Sequence, residues 1–102
     1  MAIFTPITTQ AALGTSSGAA SNVSSSEFVR LYNSAAAGTE HLITLEEAGG
    51  TDIGTFSLEG LDTVIIRKAS TDKLFAADAA VLACGVSIVE VGQPREYSKS
   101  AN

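Results

Sequence analysis

Alternation of apolar and polar residues is the clearest pattern in this chain, and a period of two residues predicts β-strands. In residues 28–33, Val29 and Leu31 fall on one face, and the residues between them fall on the other. Further stretches of strand-like character occupy residues 40–46, 52–58, 61–68 and 86–91. We therefore expect about five short strands.

The residues that connect these stretches are typical of tight turns. Gly49 and Gly50 supply the positive φ angles that a tight hairpin needs between the second and third strands. The alternation slips around Gly54, which predicts a β-bulge at that position. The middle of the chain therefore reads as a β meander.

One stretch favours a helix instead. Residues 74–82 are rich in alanine, and their larger apolar side chains are spaced for one side of a short helix. An irregular packed loop is the alternative for this short stretch. Ser70, Thr71 and Asp72 are candidate caps at its start, and Gly85 ends it. Together the elements predict a mainly β fold, a small antiparallel β-sandwich or partly open barrel with one short helix and an extended N-terminal arm.

The beginning of the chain combines a short apolar tip of strand-like residues, 1–7, with a long polar tract. Residues 8–26 hold small and polar side chains, with Leu13 and Val23 as the only larger apolar residues, so they are expected to add little to a core. The apolar residues at the tip either reach a neighbouring subunit or pack on their own domain. We divide the chain into a flexible or extended N-terminal arm with an apolar tip (1–26), a β-rich domain (27–91) and a polar C-terminal tail (92–102).

Composition limits what such a chain can be. Its 102 residues make one domain at most, and an apolar fraction of 45% that is rich in alanine predicts a lean core. Association with other chains is therefore expected to add buried area. The net charge of -5, with 6 dispersed basic residues, disfavours direct nucleic-acid binding. We also expect no membrane partner, no secretory signal and no disulfide scaffold.

Candidate chemistry is sparse. Residues 14–18 read GTSSG and match G-x-S-x-G formally, but they lie in a serine-rich tract without the strand and helix that a nucleophile elbow needs. His41 is the only histidine, which favours a strand-face or interface role, and Cys84 reads as a small buried residue. The carboxylates fall mostly at predicted turns. We expect no catalytic, metal-binding or cofactor-binding residues and no enzyme activity.

Two stretches carry a resemblance to known proteins. They read VRLYNSAA at residues 29–36 and IIRKASTDKLFA at residues 65–76, with TFSL between them at residues 55–58. Over residues 28–91 the chain resembles small structural proteins of tailed bacteriophages, especially phages of marine bacteria and cyanobacteria. The acidic, alanine-rich composition and the arm are similar to capsid decoration (cement) proteins, which lie outside the shell and link neighbouring capsomers.

This resemblance implies a β-rich virion protein that is made in the host cytoplasm and located on the capsid surface. It implies docking on the major capsid protein, together with self-association as a dimer or trimer. A tail or head-to-tail connector component and a small non-viral binding module are the alternatives. The contacts are expected from the arm residues Ile3, Phe4, Thr5 and Ile7, and from the domain residues Phe28, Arg30, Tyr32, His41 and Arg67.

Overall fold

Eight β-strands form within residues 2–90, which is the part of the chain that this computed structural model describes. Met1, Val91 and the predicted tail at 92–102 lie outside the described residues. In chain order the strands are β1 (Ala2–Pro6), β2 (Ala11–Ala12), β3 (Phe28–Asn33), β4 (His41–Glu46), β5 (Asp52–Leu58), β6 (Thr63–Arg67), β7 (Lys73–Ala76) and β8 (Val81–Glu90). The helical content described is a single 3-10 turn at Ser17–Ala19.

The strands form two antiparallel sheets. Sheet A has the order β1-β8-β3-β6, and β2 pairs with β8 beside β1. Sheet B has the order β5-β4-β7. The chain passes from one sheet to the other after β3, β5, β6 and β7, so each sheet is completed by strands that are distant in sequence. The prediction of a mainly β, antiparallel, sandwich-like fold is confirmed.

Residues from both sheets make one core. Strand alternation buries Val29 and Leu31 of β3, whose neighbours Phe28, Arg30 and Tyr32 point to the other side of sheet A. The buried apolar cluster consists of Leu13, Val23, Val29, Leu31, Ile43, Leu58, Leu74, Ala76, Val81 and Ala83. Half of these ten residues are valine or alanine and none is aromatic, which fits the lean core expected from composition.

The β4–β5 hairpin forms where the glycines predict it. Gly50 adopts a φ of +96°, and its amide donates to the Glu47 carbonyl at 2.8 Å. The pairing shifts register between Leu45 and Glu46, which leaves Ile53 of β5 without a directly opposite partner. The irregularity therefore lies next to Gly54, where the alternation predicts it.

The predicted helix at 74–82 is wrong. Leu74 and Ala76 are buried on alternate positions of β7, and β7 pairs with β4. The chain then turns at Asp78, whose carboxylate accepts a 2.8 Å hydrogen bond from the Ala80 amide, and β8 begins at Val81. Pairing with strands distant in sequence overrides the helix propensity of alanine, which is a weak local preference.

The N-terminal arm is extended, and it is part of the sandwich. After β1 and β2 pair with β8, the Leu13 amide donates to Val81 and the Gly14 carbonyl accepts from Ala76. Ser21 then exchanges two backbone hydrogen bonds with Leu74 of β7. The arm thus runs from the edge of sheet A to the edge of sheet B and closes that side of the sandwich.

The predicted division between arm and domain at residue 26 does not mark the limit of the folding unit. Leu13 and Val23, the two larger apolar residues of the polar stretch, are both buried in the core. Val23, Ser24 and Ser25 all have positive φ angles, between 53° and 60°, and form a left-handed turn. Such a turn costs about 1–2 kcal/mol per non-glycine residue, so packing and hydrogen bonds must hold it.

A fully buried asparagine, Asn33, forms hydrogen bonds with the segments that connect the two sheets after β3 and after β5. The Asn33 side-chain amide donates to the carbonyls of Thr39 and Leu58, and its oxygen accepts from the Ala35 amide. Its backbone also bonds to Asp62 and Leu61. Because its polar groups are hydrogen-bonded, the Asn33 side chain can be completely buried.

Candidate assembly surface

The outer face of sheet A is built by alternation in β3 and β6. Phe28, Arg30 and Tyr32 of β3 point away from the core, and their partners in β6 are Arg67, Ile65 and Thr63. Directly opposite residues of an antiparallel pair lie on the same face of a sheet. We call Phe28, Arg30, Tyr32, Ile65 and Arg67 the aromatic–arginine patch.

The arginines of the patch lie over aromatic rings. The Arg67 guanidinium carbon is 5.8 Å from the centroid of the Phe28 ring, and Arg30 is 5.9 Å from the Tyr32 centroid and 6.0 Å from that of Phe4. Arg30 also donates a 3.1 Å hydrogen bond to the Gln10 side chain. These cation–π contacts order the long side chains before any partner arrives, which lowers the entropy cost of binding.

The charge of the patch contrasts with that of the chain. Strands β3 and β6 contain two arginines and no aspartate or glutamate, although the chain carries a net charge of -5. Lys68 follows β6, but its side chain is buried and donates to the Ala69 carbonyl. Burial lowers the pKa of Lys68, and nearby Asp72 partly opposes that shift. The positive charge offered to a partner on this face therefore comes from the arginines.

The tip of the arm lies at the edge of the same sheet. Ile3, Phe4 and Thr5 belong to β1, and Ile7 follows it and donates its amide to the Gly85 carbonyl at 2.9 Å. Ile3 is 53% exposed and Ile7 is 59% exposed, while Phe4 stands beside Arg30. The tip packs along its own domain through its backbone and leaves these apolar side chains open to solvent.

The structure brings most of the predicted contact residues to one sheet. Phe28, Arg30, Tyr32 and Arg67 share the outer face of sheet A, and the tip residues lie at its edge. His41 does not join them, because it opens β4 in sheet B opposite Leu58 and is half-buried there. The local pattern of residues 40–46 could not reveal which sheet would receive this strand.

Two contributors to the surface were missed. Ile65 is 37% exposed and lies opposite Arg30, and the alternation of Thr63, Ile65 and Arg67 already signalled its outward direction. Gln10 orients Arg30 from the arm. No signal in the sequence joins Gln10 to Arg30, because that contact depends on how the arm lies along β8.

A groove opens where the arm crosses between the sheets. It has a volume of about 490 Å³, and its lining includes Ile7, Thr8, Leu13, Val23 and Ala83. Cys84 lies close by, and it is buried as predicted, with its sulfur 3.1 Å from the Thr8 carbonyl oxygen. Arm residues thus form much of the groove wall.

The formal G-x-S-x-G match falls on the 3-10 turn of the arm. Ser16 precedes the turn in extended backbone and makes no side-chain capping bond. Ser17 donates to both carboxylate oxygens of buried Glu46, at 3.2 and 3.0 Å. The observed role of this tract is to anchor the arm on β4.

Metal-ligand side chains do not cluster in the described part of the chain: no three histidine, cysteine, aspartate or glutamate residues converge there. Among residues 2–90, no helix has the length and apolar character needed to cross a membrane.

Comparisons with protein-family models, with curated proteins and with solved structures find no match to this chain.

Proposed function

We propose that the protein is a non-enzymatic structural subunit of a phage virion, a capsid decoration (cement) protein that docks on the major capsid protein. The observation that carries this proposal is the aromatic–arginine patch on the outer face of sheet A. The phage setting comes from the resemblance of residues 28–91 to structural proteins of tailed phages.

The composition of the patch supports a role in protein contacts. Aromatic residues and arginine are enriched at the centres of protein interfaces and among the residues whose truncation weakens binding most. The patch offers rigid or branched apolar surface from Phe28, Tyr32 and Ile65. Its two arginines, Arg30 and Arg67, are held over aromatic rings. Such side chains lose little conformational freedom on binding.

Charge indicates the kind of surface that the patch fits. Arg30 and Arg67 stand on a face without carboxylates from β3 or β6, so a complementary partner surface presents acidic groups near apolar ones. We infer that the outer surface of the major capsid protein supplies these groups. Each subunit then adds buried area to the shell, and many weak contacts together stabilise it.

The experiment is co-sedimentation of the purified protein with heads assembled from the major capsid protein of the genome that encodes it. Ile65→Ser is the test variant and Ile53→Ser is its matched control, because Ile53 is an exposed isoleucine of sheet B. We expect Ile65→Ser to weaken binding about tenfold or more, while Ile53→Ser binds like the unmodified protein. Arg67→Ala is expected to weaken binding in the same direction.

Failure of the unmodified protein to sediment with heads would overturn the proposal. Equal binding by the Ile65→Ser and Ile53→Ser variants would remove the patch as the docking surface. Particle reconstruction separates the decoration role from a tail or connector role, because decoration predicts density over the whole shell. Density at a single vertex would overturn the decoration assignment in favour of the connector.

A further inference from the structure

Among the strands of residues 2–90, β1 forms an open edge of sheet A. The Ile7 amide donates to Gly85 of β8, and Thr5 and Ile3 stand opposite Ser87 and Val89. Backbone groups of an antiparallel strand point alternately to its two sides. The N–H and C=O groups of Ala2 and Phe4, with the C=O of Pro6, therefore face away from β8, and no other strand within residues 2–90 pairs with them.

This edge differs from the other strand edges at the border of the sandwich. Natural edge strands are protected by charged side chains, bulges or proline. β6 carries Arg67, and β5 begins at Asp52 and contains the register shift at Ile53. β1 has proline as its single protective feature, and residues 1–26 contain no charged side chain at all. Two acidic copies of the chain can meet here without placing like charges opposite each other.

The position of β1 also leaves it poorly supported. β3 pairs with β8 no further than Val86, so beyond that point β1 and β8 form a two-stranded ribbon in the described part of the chain. A ribbon of two strands is marginally stable in water, and a third strand adds hydrogen bonds and covers side chains. Ile3 and Phe4 lie on opposite faces of this ribbon and are both exposed.

We propose that β1 pairs antiparallel with β1 of a second copy of this chain, with the two Phe4 residues opposite each other across a two-fold axis. The contact goes beyond the proposed function, because it joins copies of the chain and needs no capsid. It merges the two A sheets into one continuous sheet, which is the isologous geometry of a symmetric dimer.

The hydrogen-bond pattern selects this register. Each Phe4 N–H meets the Phe4 carbonyl of the other copy, and each Ala2 N–H meets the Pro6 carbonyl of the other copy. Pro6 lacks an N–H, and its nitrogen faces the free side, so β1 loses no bond to β8. The register overlaps the whole of β1 and uses every donor that its free edge retains.

The side chains fit the same arrangement. The two Phe4 rings come together on the outer face, each beside the Arg30 of its own copy, whose guanidinium carbon lies 6.0 Å from the ring centroid. On the other face of the ribbon, Ile3 of each copy lies opposite Thr5 of the other. The contact therefore covers apolar residues that the isolated chain exposes.

Disulfide trapping tests the register in the purified full chain, in a Cys84→Ala background. Phe4→Cys places two cysteines directly opposite each other, with Cα atoms about 5.5 Å apart, inside the range of about 4.4–6.8 Å that a disulfide spans. Ile3→Cys leaves its cysteines more than about 7 Å apart, although a mixture of Ile3→Cys and Thr5→Cys chains brings cysteines opposite each other. Ile53→Cys on β5 is the control for random collisions.

We expect disulfide-linked dimers from Phe4→Cys and from the Ile3→Cys with Thr5→Cys mixture, and background levels from Ile3→Cys alone. Yields from Phe4→Cys no higher than those from Ile53→Cys would overturn the pairing. Efficient trapping by Ile3→Cys alone would overturn the register.

Analytical ultracentrifugation over a dilution series tests the contact without cysteines. Phe4→Pro removes an N–H that faces away from β8, so the bonds between β1 and β8 remain. We expect this variant to associate about tenfold more weakly than the unmodified chain. A strictly monomeric unmodified chain that still sediments with heads would overturn the β1 pairing while the docking proposal stands. An unmodified chain that dimerises but does not sediment with heads would overturn the docking proposal while the β1 pairing stands.

Discussion

Two segments of the N-terminal arm reverse the roles that their compositions suggest. Residues 2–7 are apolar, yet Ile3, Phe4 and Ile7 remain exposed at the edge of sheet A. Residues 11–26 are mostly small and polar, yet they cross between the sheets and bury Leu13 and Val23. The apolar segment is available for contacts, and the polar segment holds the sandwich together.

The difference shows that apolar content does not by itself locate the fold. The polar segment is tied down by backbone hydrogen bonds to Val81, Ala76 and Leu74, and by the Ser17 bonds to Glu46. Small side chains allow its backbone to approach other strands closely, and two well-placed apolar residues suffice to join it to the core. Changes in the two segments should therefore have very different effects on stability.

The largest expected effect comes from the core residue of the polar segment. Leu13→Ala should lower the free energy of unfolding by about 2–4 kcal/mol, because a residue that is 4% exposed leaves a cavity. Ile3→Ala should change it by less than about 0.5 kcal/mol in dilute protein. Urea denaturation with comparison of midpoints measures both, and equal losses would refute the contrast between the segments.

A smaller effect is expected where the arm passes over β8. A methyl group at Gly85 would collide with the Ser26 hydroxyl and would lie 3.1 Å from the Thr8 methyl carbon. Gly85→Ala should destabilise the fold by about 1–3 kcal/mol. Gly18→Ala is the matched control, since an added methyl there meets no atom within 4 Å.

The same site allows a coupling measurement. Ser26→Gly removes the hydroxyl that the new methyl group would collide with and leaves the contact with Thr8. The double variant should therefore recover about 1 kcal/mol relative to the sum of the single changes. An additive result would mean that the arm simply moves aside, which would contradict a tightly packed polar segment.

The smallest expected effect concerns the left-handed turn. Ser24 has a φ of 55°, and glycine adopts this conformation without the steric cost that serine bears. Ser24→Gly should stabilise the fold by about 0.5 kcal/mol, because the relief of the steric cost exceeds the conformational entropy that glycine adds to the unfolded chain. Ser16→Gly, at a φ of -150°, should instead destabilise it slightly. Identical shifts in thermal unfolding for the two variants would contradict this assignment of strain.

Much of the middle of the molecule follows from local sequence. The alternation of Val29 and Leu31, the positive φ of Gly50 and the irregularity next to Gly54 were all predicted. Each depends on interactions between neighbours along the chain or within one hairpin, which a local pattern encodes directly. The outward direction of the patch residues in β3 and β6 follows from the same periodicity.

The remaining features depend on partners distant in sequence. Residues 74–82 look helical until β7 pairs with β4, and His41 looks like a member of the contact surface until β4 joins sheet B. The periodicity of a strand does not specify its neighbours in the strand order or the sheet that it enters.

The sequence alone therefore determined the class of fold, the hairpin and the two faces of its central strands, because these arise from short-range periodicity and backbone geometry. Tertiary structure alone decided that residues 11–26 close the sandwich and that Phe4 meets Arg30 at the edge of sheet A. Those features rest on backbone hydrogen bonds and packing between segments far apart in the chain, and only the assembled sheets bring such segments together.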